Sequence, residues 1–256
     1  MDRIRIRKRY LLSIFSLLSV GLLGGCAVLK KTPKHYHYRW VHYSSQIVTI
    51  DSTITPDSTI SADLAPYREK VDKVMNQKIG RSTGIFLKNR PEGSLGNLVA
   101  DAVRNAASRI KEKNIDIGVI TNSSIKYRLP KGKITRRMIY EIMPYNNKLV
   151  ILKLTGHQVL MMANEIAKAN GEPISGLRMR IDDKKASDIL IGRHTLKSNQ
   201  LYTVATNDYM ANGGGDVPAL WNPVSRENES ISIRQCIEDY INNRLVVHPV
   251  LDGRIH

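Results

Sequence analysis

The apolar run Leu149-Val-Ile-Leu-Lys-Leu154 passes without a break into Thr155-Gly-His-Gln158, a pattern that commits the chain to a strand feeding directly into a helix. Thr155 with a glutamine three residues on has the form of a capping box, in which the two side chains satisfy each other's free backbone N–H groups. Val159, Leu160, Ala163, Ile166 and Ala167 then recur at helical spacing to about Ala169, which predicts one buried stripe. The alternation extends in both directions. Further strands fit Ile115–Ile120, Leu177–Ile181 and Leu201–Thr206. Helices fit Leu64–Ile79 and the stretch after Ser94, where Leu95, Leu98, Val99, Ala102, Val103 and Ala106 share a face. A last helix from about Ser232 is expected to bury Ile233, Cys236, Ile237, Tyr240 and Ile241. Helices and strands interleaved in this way predict an α/β domain of mixed α+β character.

The first residues follow a different logic. Arg3, Arg5, Arg7, Lys8 and Arg9 precede an apolar run from Tyr10 to Leu23 and then Gly24-Gly25-Cys26. The run falls short of the roughly 20 apolar residues that span a bilayer. With a basic start and small residues before a cysteine, it reads as a lipoprotein signal over residues 1–25. Cys26 is then the expected lipid anchor, and Ala27 behind it favours sorting to the outer membrane of a bacterial envelope. Residues 26–62 are rich in Lys, His, Tyr, Ser and Thr, with short β-branched pieces such as Ile47-Val-Thr-Ile50, and are expected to form a tether. Residues 63–256 are the expected globular domain. With Cys26 lipidated, Cys236 has no partner for an intramolecular disulfide and is expected to be a buried thiol.

The whole chain has 39 basic and 23 acidic residues, and without residues 1–25 an excess of +12 remains (34 against 22). That excess is spread along the chain, so it suggests anionic partners in general: phosphate ligands, nucleic acid or a lipopolysaccharide surface. No specific nucleic-acid binding is expected. Some chemistries lack their residues. There is no Gly-x-Ser-x-Gly elbow, and Cys236 lies inside a helical apolar stripe, so serine or thiol catalysis has no support. His35, His37 and His42 sit in the tether segment and read as solvated linker residues, and His157 reads as a surface residue of a first helical turn.

The segment Tyr209-Met-Ala-Asn-Gly-Gly-Gly-Asp216 leaves the strand ending near Thr206. Its glycines let the backbone turn tightly and let other groups approach it closely. An aromatic ring and a carboxylate flank them, as in a sugar-and-base pocket.

In order along the chain stand Pro91-Glu-Gly-Ser-Leu-Gly-Asn-Leu-Val-Ala-Asp-Ala102, Asp116-Ile-Gly-Val-Ile-Thr-Asn-Ser-Ser-Ile-Lys126 and Leu129-Pro-Lys-Gly-Lys-Ile-Thr135. Met143-Pro-Tyr-Asn-Asn-Lys-Leu149, Leu154-Thr-Gly156 and Tyr202-Thr-Val-Ala-Thr-Asn-Asp-Tyr209 follow. This ordered set resembles the C-terminal, substrate-binding domain of the 5′-nucleotidase family. The resemblance implies a single domain of layered helices and mixed sheets that holds a nucleotide or nucleoside. It makes Tyr145 and Tyr209 the two walls of a base sandwich, Asn147 the amide at the base edge and Asp216 the acceptor for ribose hydroxyls. Thr121 and Lys126 stand at the ends of the segment where the family has Asn-x-Gly-Gly-(Ile/Leu)-Arg, and the resemblance places both among the substrate contacts.

Departures are visible as well. A lysine ammonium replaces a planar guanidinium at Lys126, which is not a conservative exchange. Asn89 occupies the place of a further family arginine, flanked by Lys88 and Arg90, and the glycine segment is one residue longer than the family's spacing. The family's catalytic half is a metallophosphatase built on Asp-x-His, Gly-Asn-His-Asp/Glu and Gly-His-x-His motifs. None of these occurs in the sequence.

The resemblance therefore implies no metal or other cofactor in this chain. Two divalent ions are expected only in a separate metallophosphatase partner. Three readings follow from the sequence: the binding half of a split 5′-nucleotidase, a stand-alone nucleoside receptor for salvage, and a decayed domain that contacts anionic envelope polymers.

Overall fold

The computed structural model describes Thr49 and residues 51–256, and the compact unit begins at Pro56. The signal segment, Cys26 and the β-branched Ile47–Ile50 piece of the expected tether lie outside the described residues apart from Thr49. In chain order the elements are α1 (Ser58–Met75), β1 (Lys78–Ser82), α2 (Ser94–Lys111), β2 (Ile117–Val119), β3 (Gly132–Thr135) and α3 (Arg136–Ile142). There follow β4 (Lys148–Thr155), α4 (Gly156–Lys168), β5 (Ile174–Ser175), β6 (Leu177–Asp182), β7 (Lys185–Ile191), β8 (His194–Thr195), β9 (Leu201–Asn207) and α5 (Asp208–Ala211). The chain closes with β10 (Ser225–Ser232), α6 (Ile233–Arg244) and β11 (Val246–Val247).

A five-stranded sheet in the order β10-β4-β9-β2-β5 forms the centre. Its β2–β9 pair is parallel and its other pairs are antiparallel. Successive residues of β4 point to opposite faces, and both faces are buried. Leu149 and Ile151 join the cluster that contains α2, α3 and α6, whereas Val150, Leu152 and Leu154 join the one that contains α4. That two-sided burial explains why β4 reads as a nearly continuous apolar run. Two smaller sheets, β11-β1-β3 and β6-β7-β8, complete the mixed α/β fold.

The expected helix at Leu64–Ile79 needs correction at both ends. Asp57 caps the helix by accepting from the Thr59 and Ile60 N–H groups, and Asn76 ends it, so α1 starts within the segment expected to be tether. Ile79 belongs to β1, where pairing with β3 and β11 overrides its helical spacing. The capping box at Thr155 is formed, with the Gln158 N–H donating to Thr155 Oγ1 at 3.2 Å and the Thr155 N–H donating to Gln158 Oε1 at 2.9 Å. Leu160 departs from the predicted stripe. It is exposed on the flank of α4, and Met162 takes its place in the core.

Cys236 is buried, and burial pushes its thiol up to about 12. The thiolate is the reactive form. Native protein at pH 8 should therefore leave this thiol unmodified by Ellman's reagent, with reaction following only on unfolding. Rapid labelling of the native thiol would show that α6 does not shield it.

Candidate functional site

Strand pairing brings three distant segments together at one end of the central sheet. Leu149 of β4 is paired with Asn207 of β9, so the chain entering β4 and the chain leaving β9 emerge side by side. On the other side of β9, β2 runs parallel to it, and its exit forms the 3-10 turn Asn122–Ser124. Residues 121–126, 143–147 and 208–216 are thus neighbours in space. Between them opens a cleft of about 260 Å³ lined by Ser123, Ser124, Lys126, Tyr145, Asn147 and Tyr209.

Tyr209 is set by local chemistry. Buried Asn207 caps the short α5 by accepting from the Met210 N–H at 2.9 Å, and Met210 anchors the turn in the core. The Gly214 N–H donates back to Tyr209 O at 2.9 Å. A Cβ built on Gly214 would lie 2.3–2.5 Å from Cζ, Cε1 and Cε2 of the Tyr209 ring. The ring therefore lies flat on the Gly214 backbone, where no side chain fits, and remains 47% exposed.

Tyr145, 44% exposed, follows α3 and is held from behind by α6. Arg234 Nη1 donates to Met143 O at 3.3 Å and to Tyr145 O at 2.7 Å, while Nη2 donates to Asn146 Oδ1 at 2.9 Å. The same guanidinium stacks on Tyr140 at 4.3 Å, and the Ile233 N–H donates to Asn147 O at 2.9 Å. Hydrogen bonds from a charged donor contribute about 1.5–3 kcal/mol. Arg234 thus braces the whole Met143–Asn147 arm. On the cleft side, Lys126 Nζ lies 5.2 Å from the centre of the Tyr145 ring, within cation–π range.

Four of the residues expected from sequence, Lys126, Tyr145, Asn147 and Tyr209, line this cleft. Thr121 and Asp216 are not among its lining residues. Thr121 is buried, with its hydroxyl 3.0 Å from that of Ser123, and it supports Gly215 from below. Asp216 is exposed beyond the glycine turn, in a left-handed conformation at φ 52°.

Arg90 does not supply the missing family guanidinium there. It is held by buried Glu172 at 2.6 Å and by the Ala169 and Gly171 carbonyls behind α4. Sequence reasoning missed Ser123, Ser124 and the Arg234 brace. The two serines lie inside a motif already noted, whereas Arg234 gives no local signal.

The site offers two half-exposed aromatic rings, an amide, two hydroxyls and an ammonium. Flat heteroaromatic rings stack on such walls, and the polar groups suit an oxygen-rich, anionic substituent. The set does not fit a divalent cation, since it contains no carboxylate or imidazole and includes an ammonium.

A family model described as the 5′-nucleotidase C-terminal domain matches residues 78–221. The chain is 24% identical over 209 residues to a 5′-nucleotidase of Vibrio parahaemolyticus, covering 78% of this chain and 36% of that protein. It is 29% identical over 194 residues to the endonuclease YhcR of Bacillus subtilis, covering 72% of this chain and 15% of that one. Among solved structures, a 5′-nucleotidase precursor from Thermus thermophilus superposes with a TM-score of 0.68 at 26% identity, over 78% of this chain and 43% of that one. The NAD nucleotidase of Haemophilus influenzae shares the fold at a TM-score of 0.60 and 15% identity, over 78% of this chain and 41% of that one. The chain thus spans less than half the length of each of these relatives.

Proposed function

The chain belongs to the family of 5′-nucleotidase C-terminal domains, and on that footing we propose that it is the substrate-holding half of a split 5′-nucleotidase. The observation that carries this reading is the cleft in which Tyr145, Tyr209, Asn147 and Lys126 meet. A nucleobase stacks between the two tyrosines, and the Asn147 amide reads its edge. The Lys126 ammonium, with the Ser123 and Ser124 hydroxyls, faces the ribose-phosphate side.

Hydrolysis belongs in this reading to a separate metallophosphatase chain, whose motifs the sequence lacks. The two divalent ions there would generate the attacking water and take up charge on the phosphoryl oxygens. This chain's share is binding and orientation, which lower a barrier by fixing the reacting group in place. A lipid on Cys26 would hold the pair at the outer membrane, with the tether spacing the domain from it. Nucleotide catabolism is the process such a pair would serve.

The test is AMP hydrolysis by the purified chain alone and together with each metallophosphatase chain of its source organism. The lone chain should be inactive and one pairing should release phosphate. Activity in the lone chain, or no gain with any partner, would refute the split enzyme. Adenosine binding with no catalytic partner at all would instead favour a nucleoside receptor.

The brace gives an independent check of the site. Arg234→Ala should weaken adenosine binding by about 1 kcal/mol, roughly fivefold, because the Tyr145 arm loses its charged donors. Arg234→Lys should recover only part, since an ammonium cannot reach both carbonyls and Asn146 at once. Titration calorimetry on the two variants measures this, and unchanged affinity in Arg234→Ala would show that the arm holds its position unaided.

A further inference from the structure

Helix α1 is unlike every other long helix of the domain, because none of its 18 residues is buried. It meets the rest of the domain through its last turn, where Arg137 donates to Asp72 Oδ1 at 2.5 Å and to Asn76 Oδ1 at 3.3 Å. An unpacked helix of this length is marginal in water, since most helical stability in proteins comes from burying an apolar face.

Helix α1 has such a face, and it is exposed. Ile60, Leu64, Tyr67, Val71 and Val74 are all exposed large hydrophobic residues. Their spacings run four, three, four, three, which places them on one stripe about 20 Å long with the seven-residue repeat of a two-stranded coil. Pro66 and Glu69 fall on the side away from the stripe, as does Asp72, already engaged by Arg137.

Residues beside the stripe indicate what covers it. Asp63 and Lys70 border one edge, and Arg68 and Met75 border the other. When two copies pair in parallel, a residue on the first edge faces the residue five positions on in the other copy. Asp63 of each copy then faces Arg68 of the other, giving two opposite-charge pairs, and Lys70 faces the neutral Met75. No like charges meet.

We propose that α1 is a self-association element through which two copies of this chain pair in parallel along Ile60, Leu64, Tyr67, Val71 and Val74. Copies anchored at Cys26, as expected, would enter such a pair from the same side. A seam of this length buries on the order of 900 Å² in total, at the low end for a specific interface, so the pairing is weak and concentration-dependent. It is independent of what the cleft binds.

Cysteine cross-linking of the full-length protein in its membrane decides the matter. Val71→Cys, on the seam, should give a dimer with a short bismaleimide at about ten times the yield of Glu69→Cys, on the opposite side of the helix. Adding Leu64→Asp to the Val71→Cys chain should abolish that dimer. The unsubstituted chain is the control, since Cys236 is buried. Equal cross-linking at positions 69 and 71, an unaffected dimer in the Leu64→Asp chain, or adducts to a different protein only would overturn the proposal. The last of these would identify the stripe as the seat of another chain.

Discussion

Tyr209→Ala is expected to weaken adenosine binding by about 1–3 kcal/mol, the worth of one base–aromatic stack, or roughly 5- to 150-fold in Kd. Tyr145→Ala should lose a similar amount, and titration calorimetry measures both. If affinity is unchanged in both variants, the two-walled sandwich is wrong. The ring on which Tyr209 depends can also be moved without being removed. Gly214 carries no positive φ, so its backbone conformation admits a side chain. The space in front of it does not, because a Cβ would lie 2.3–2.5 Å from three ring carbons. Gly214→Val should therefore expel an intact Tyr209 ring from the cleft wall. Its loss of affinity should approach that of Tyr209→Ala, while thermal stability changes little, since the ring is half exposed and leaves no core cavity. Normal binding by Gly214→Val would mean that the wall position of the ring is immaterial.

Arg254→Ala should be the most destabilising single change away from the cleft. Arg254 is 8% exposed. It donates to both carboxylate oxygens of Asp101 at 2.8 and 3.3 Å, to both of Asp252 at 3.0 and 2.9 Å, and to the Ile174 carbonyl at 2.7 Å. Glu92 secures the same segment by accepting from the Asp252 and Gly253 N–H groups at 3.0 and 3.1 Å. Removing one member of a buried ion pair costs about 3–5 kcal/mol. Asp101 and Asp252 remain about a third exposed and can recover some hydration, so about 3 kcal/mol is expected. In a domain of this size that corresponds to a fall in Tm of roughly 6–12 °C.

The same lock gives the acid limb its sign. The hydrogen bond from Arg254 holds the Asp252 carboxyl below its ordinary 3.8 in the folded state. The stability it contributes is present above 3.8 and is lost as pH falls through the lowered folded value. Arg254→Ala should therefore lose less stability than the parent protein between pH 4 and pH 2, as measured by thermal melts across that range. An acid limb of the same steepness in both proteins would uncouple Asp252 from Arg254.

Local signals carried the four longest helices, α1 with its ends shifted, and the strands β2, β4, β6 and β9. The capping box at Thr155, the stripe of α2 and the apolar run of β4 are each specified within a few residues. The small sheet β11-β1-β3 was not legible. Lys78-Ile-Gly-Arg-Ser82 has almost no apolar content, and its strand character comes from pairing with residues 132–135 and 246–247. Edge strand β10, Ser225–Ser232, is equally polar and exists because β4 offers it a partner. In the site, motif order pointed to Tyr145 and Tyr209, but their meeting depends on the Leu149–Asn207 rung. Arg234 contributes through backbone carbonyls 89 and 91 positions away, which no pattern in the sequence announces.

That rung also separates what can vary from what cannot. Both cleft walls hang from the adjacent strands β4 and β9, while residues 156–200 leave from the far end of β4 and return at the far end of β9. Lengthening that excursion at the exposed Asp183–Lys184 turn adds little closure entropy and leaves the rung in place. The fold thus provides an insertion port at the opposite end of the strands from the cleft, where a reporter or an additional domain can be spliced in without retuning the ligand slot.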